Sequence, residues 1–103
     1  MAAQFDNVSV IKQGNVFFDG KCVSHTVVLA DGTKKTVGVI LPSTLTFNTS
    51  AREIMEIVAG SCRVSVAGGS VTQYGPGQTF EVQAQSSFTI EAAEAVHYVC
   101  HFG

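Results

Sequence analysis

The sequence predicts an all-β, antiparallel sandwich or barrel in a single domain, with a jelly roll among the options. Three observations carry this. Val and Thr dominate short runs in which apolar and polar residues alternate, the period of half-buried strands. Glycine and Asn/Asp clusters interrupt those runs at short, even intervals. Helical patterning is nearly absent, so the helical crossovers that a parallel sheet requires are missing. A length of 103 residues, 46% hydrophobic and 14% charged, supplies one packed core and leaves no room for a second domain.

The strands follow in chain order. Val8-Ser9-Val10-Ile11 is β-rich, although Lys12 and Gly14 beside it fit a loose extension equally well. The clearest unit is a hairpin, in which runs 23–29 and 35–40 flank Ala30-Asp31-Gly32-Thr33, with Asp-Gly as the turn signal. Further strands are expected at 44–48, 54–58, 62–66, 71–74, 79–82, 88–92 and 96–102, which makes roughly ten with the N-terminal one. Ala59-Gly60-Ser61, Ala67-Gly68-Gly69-Ser70 and Tyr74-Gly75-Pro76-Gly77 supply the tight links between them.

Charge excludes whole classes of partner. Six Lys plus Arg against eight Asp plus Glu give a net charge of -2, and Lys12, Lys21, Lys34, Lys35, Arg52 and Arg63 are scattered. Such a set cannot neutralise a row of phosphates, so no nucleic-acid partner is expected. Apolar stretches fall far short of the ~18 residues of a membrane helix, and no membrane association is expected. The N-terminus lacks a basic segment followed by an apolar one, so the cytoplasm is the expected location. A chain this small and this apolar leaves apolar surface outside, for which a homo-oligomer is the natural sink.

The three cysteines, Cys22, Cys62 and Cys100, form no Cys-x-x-Cys pair and sit amid strand-like sequence, as buried inert thiols do. Strand alternation places His97 and His101 on one face with Val99, and Tyr98, Cys100 and Phe102 on the other. Two histidines on a face could bind metal, but His25 lies in a different hairpin and a site needs three or more ligands. Arg52, Glu53 and Glu56 concentrate charge before and within one strand. There they form a solvated loop, or else turn a carboxylate and a guanidinium into a ligand cavity. No nucleophilic triad, phosphate-binding loop or dinucleotide fingerprint is present.

Glu53, followed after six residues by Gly60, resembles the tail of the first cupin motif, with Phe47-Asn48-Thr49 in the place of its His-x-His pair. In the second motif, Gln83, Gln85 and Phe88 stand where a proline and a histidine ligand are usual. A fuller resemblance is to the small single-domain cupins of the pyrimidine/purine nucleoside phosphorylase family. It runs from Asn15 onward through Val16-Phe17-Phe18-Asp19-Gly20-Lys21-Cys22-Val23-Ser24, Thr36-Val37-Gly38-Val39-Ile40, Glu53-Ile54-Met55-Glu56-Ile57-Val58-Ala59-Gly60, Gly77-Gln78-Thr79-Phe80-Glu81-Val82 and Tyr98-Val99-Cys100.

The resemblance implies a jelly-roll cupin domain over residues 15–103 with an N-terminal extension over 1–14. It further implies phosphorolysis of purine and pyrimidine nucleosides to free base and ribose 1-phosphate, with no metal or organic cofactor; a homodimer is expected from the apolar surface of so small a chain. Within that reading Arg52 and Lys21 are expected to bind phosphate, Glu53 to hold the ribose diol, and Tyr98 and His101 to supply polar groups near the leaving base. The alternative is a non-catalytic cupin that binds a small molecule.

Overall fold

The protein is described by a computed structural model over residues 2–103. Its strands are β1 (Ser9–Val10), β2 (Asn15–Phe17), β3 (Cys22–Val28), β4 (Lys34–Ile40), β5 (Ser43–Asn48) and β6 (Glu53–Ala59), then β7 (Cys62–Val66), β8 (Val71–Tyr74), β9 (Thr79–Val82), β10 (Ser87–Ala92) and β11 (Val96–Phe102). All pairings are antiparallel. A seven-stranded sheet runs β1-β3-β4-β11-β6-β9, with β2 also on β3, and a four-stranded sheet runs β5-β10-β7-β8. The expected all-β, jelly-roll type of architecture is what forms.

Alternation decides which residues lie between the sheets. Along β11, Val96, Tyr98 and Cys100 turn inward, as do Met55 and Ile57 on β6 and Phe80 and Val82 on β9. They meet Leu45, Val64, Phe88 and Ile90 from the small sheet. Ile40, Ile57, Ile90, Val64, Val82, Val96 and Cys22 are fully buried. Each such aliphatic side chain contributes roughly 1.5–3 kcal/mol by leaving water, and together they hold the sheets face to face.

The β3–β4 hairpin turns where Asp-Gly predicts. Asp31 Oδ1 accepts from the Thr33 main-chain N–H at 2.9 Å, and Gly32 N–H donates to Leu29 O at 2.9 Å. That sets the register Val28↔Lys34 through Cys22↔Ile40, bringing Ser24 opposite Gly38.

The N-terminal residues are tied to the same sheet. Ser9–Val10 and Asn15–Phe17 pair in succession with one edge of β3, opposite Val27–Val28 and Cys22–Ser24. Between β2 and β3 the chain reverses at Phe18–Gly20, where Phe18 (φ 53°) and Asp19 (φ 54°) take the left-handed conformation ahead of Gly20.

Candidate functional site

One end of the space between the sheets stays open. The first residue of β6, the last of β11 and β5, and the first part of β10 all reach this end, because Glu53 pairs with Phe102 and Asn48 with Ser87. A cavity of about 240 Å³ is lined from there inward as far as Phe17 and Ile40, which pair in the Cys22 row. Its polar lining comes from Asn15, Ser24, Thr36, Asn48 and Glu53, with Tyr98 and Cys100, and its apolar wall from Phe17, Phe47, Phe88 and Phe102 with Ile40 and Met55.

Tyr98 lies deep in this cavity. Its hydroxyl is 3.3 Å from the Cys22 thiol, and burial, with Cys22 beside it, pushes the phenol far above its ordinary pKa. It therefore stays a neutral hydrogen-bonding group. Asn15 Nδ2 donates to Ser24 Oγ at 3.2 Å, so β2 and β3 bring a connected row of amide and hydroxyl groups to the mouth. The Glu53 carboxyl is half-buried, and burial raises its pKa while contact with the Cys100 thiol offsets part of the rise. Burial and the adjacent Glu53 charge push the Cys100 thiol up strongly, which makes it a poor nucleophile.

The aromatic wall is layered. Phe47 stacks on Phe88 with ring centroids 5.2 Å apart, and the edges of Phe18 and Phe17 meet Phe47 at 5.1 and 6.4 Å. Phe47 and Phe88 thus face the cavity from two of the positions where the cupin motifs carry metal-binding histidines, and Asn48, the residue between the pair, faces it too. Among the described residues no three His, Cys, Asp or Glu side chains gather as a metal site would require.

The residues singled out from sequence divide between different places. Glu53 and Tyr98 line the cavity together. Arg52 stands at the rim but faces outward, its Nε donating to Glu81 Oε2 and its Nη1 lying 3.5 Å from the Gly103 main-chain oxygen. His101 lies on the outer face of the large sheet, where its Nε2 is 2.9 Å from Glu56 Oε1 and its Nδ1 is 2.7 Å from Lys35 Nζ. Lys21 immediately precedes β3 and is not in the lining, although Phe17 and Ile40, which pair in the adjoining Cys22 row, are. Among the described residues no lysine or arginine lines the cavity.

Asn15, Ser24 and Thr36 belong to the site although sequence reasoning did not select them. Their signal is parity: paired across β2, β3, β4 and β11 with Tyr98 and Cys100, they fall on the same inward face. A larger hollow of about 800 Å³ lies on the other side of the large sheet, lined by Val23, Val27, Val37, Val39, Val58 and Val99 and by Phe5 and Val8 of the N-terminal residues.

Comparison with known proteins places these features in a family context. Residues 12–102 match the family model described as pyrimidine/purine nucleoside phosphorylase. A protein of that name from Dechloromonas aromatica is 70% identical over 98% of this chain and 99% of its own. Another of that name, from Thiobacillus denitrificans, is also 70% identical, over 98% and 99%. A crystal structure of a protein of unknown function from Acinetobacter sp. ADP1 superposes with a TM-score of 0.97 at 51% identity, covering 99% of this chain and 100% of that one.

Proposed function

The chain belongs to the pyrimidine/purine nucleoside phosphorylase family, and from that premise we propose that it cleaves both purine and pyrimidine nucleosides with inorganic phosphate, releasing free base and ribose 1-phosphate. A phosphate oxygen forms a bond to C1′ as the C1′–N bond breaks. The electron pair leaves with the base, which takes up a proton. No metal or organic cofactor takes part, phosphate being the co-substrate.

The observation that carries this reading is a half-buried carboxylate and a layered aromatic wall in one cavity. Glu53 accepts hydrogen bonds from the ribose hydroxyls, and its charge stabilises the oxocarbenium-like sugar as the base departs. Tyr98, Ser24 and Asn15 offer neutral donors and acceptors to the base. A wall of phenylalanine rings grips a base by its faces rather than its edges, which suits breadth across purines and pyrimidines. Arg52 at the rim supplies the guanidinium for phosphate. Lys21 and His101 are not in the cavity lining, and the reading gives them no contact with substrate. The apolar outer face of the large sheet supports a homodimer.

One observation favours a second reading, a small-molecule-binding protein without catalysis: the cavity lining holds no lysine or arginine among the described residues. Phosphate dependence separates the two. Chelator-treated protein is incubated with uridine, adenosine and inosine with and without phosphate, and free base is followed by chromatography. Base released only with phosphate is the expected result. No base at high protein concentration would leave the binding reading in its place.

A further inference from the structure

Arg52 immediately precedes β6, whose first residue, Glu53, turns into the cavity. Alternation therefore sends the Arg52 side chain to the outer side of the rim. There it meets Glu81 of β9, which pairs with Ile54 and faces the same way. The pair is 40% and 42% exposed, so solvent screens it and the guanidinium can leave it readily. On the same outer face, the Lys35 ammonium is engaged with His101. The main chain at Arg52 is held in place, since its carbonyl accepts from Gly103 N–H at 3.0 Å. A change of partner is thus a side-chain rotation about a fixed backbone.

A guanidinium presents one planar fork of donors to a carboxylate or to a phosphate in the same geometry. The Nε edge of Arg52 cannot serve Glu81 and a phosphate at the mouth at once. Resting on the phosphorolysis reading above, we infer that Glu81 is a positioning residue that holds Arg52 outside the cavity and competes with phosphate for it. Phosphate binding is then an exchange: the Arg52–Glu81 contact opens and an Arg52–phosphate contact forms at the edge of the Glu53 cavity. The affinity for phosphate is set partly by how strongly Glu81 holds on.

Calorimetric titration of inorganic phosphate into the full chain tests this without reference to turnover, using Glu81→Gln, Arg52→Ala and the double variant. Glu81→Gln is expected to tighten phosphate binding about two- to fivefold, the range of an exposed ion pair. Arg52→Ala is expected to weaken it, and adding Glu81→Gln to Arg52→Ala is expected to change nothing further. In phosphorolysis assays the KM for phosphate falls by the same factor in Glu81→Gln while the KM for nucleoside holds.

Equal tightening by Glu81→Gln with and without Arg52 would reveal a general charge effect and overturn the proposal. Weakening by Arg52→Ala with no response to Glu81→Gln would overturn the tether alone and keep Arg52 as a phosphate ligand. Native phosphate affinity in Arg52→Ala would overturn both. Absence of phosphorolysis alongside the expected binding pattern would remove the enzymatic reading and leave the exchange standing.

Discussion

The phenol of Tyr98 fills the space above Gly38: a methyl group on Gly38 would lie 2.7 Å from the Tyr98 hydroxyl oxygen and 2.8 Å from the Val23 carbonyl oxygen. The cavity floor therefore depends on a residue without a side chain at that point in β4. Gly38→Ala is expected to destabilise the protein by about 1–3 kcal/mol through overpacking, and to displace Tyr98 from Cys22. Urea denaturation measures the first effect, and the second is read from the tyrosine absorption spectrum.

Glu53 links activity to pH. Its folded-state pKa lies above the unfolded one because burial opposes the charge. The stability this confers is fully present below the unfolded pKa and is lost as pH rises through the folded one. At neutral pH the ionised carboxylate subtracts from stability, so Glu53→Gln is expected to raise Tm there, with the gain vanishing in acid. Phosphorolysis should fall about ten- to a hundredfold in the same variant, the loss of a charged hydrogen bond. In the native chain activity should decline on the acid side above the ordinary glutamate range, and that limb should be missing in Glu53→Gln.

Gly60 closes the β6–β7 turn at φ +79°, and a Cβ there would meet the Ala95 carbonyl oxygen at 2.4 Å. Backbone cannot yield as a flexible side chain can. Gly60→Ala is expected to lose roughly 2–5 kcal/mol, combining left-handed strain with the collision. Thermal unfolding followed by circular dichroism checks this.

Lys35 Nζ is bound to donate to His101 Nδ1, which leaves the ring proton on Nε2, where it reaches Glu56. Nitrogen NMR is expected to show that single tautomer. His101→Ala strands the Glu56 carboxylate, whose side chain is only 12% exposed, at about 1–3 kcal/mol in urea denaturation.

Much of this was legible in the sequence because each sheet buries one face against the other, and that writes a period of two into every strand. The runs at 71–74, 79–82 and 96–102 match β8, β9 and β11 residue for residue. The same parity separated Tyr98 from His101, but which face looked inward depended on the second sheet. Lys21 shows a further limit, since it precedes β3 and alternation reports the face only of residues within a strand. At the reversal Phe18–Gly20 the Asp19-Gly20 pair is a turn signal, but the left-handed Phe18 is not legible, because it is held by its contact with Phe47 and not by preference.

The pairing of Ser9–Val10 and Asn15–Phe17 with β3 bears on solubility. Without that strip, β3 would offer a row of bare amide and carbonyl groups to any passing strand, a template for association between molecules. The N-terminal residues act as a selvedge, the bound edge that keeps a woven sheet from joining its neighbour. Trimming the Ser9–Val10 part bares that edge while leaving Asn15 and Phe17 in the cavity lining.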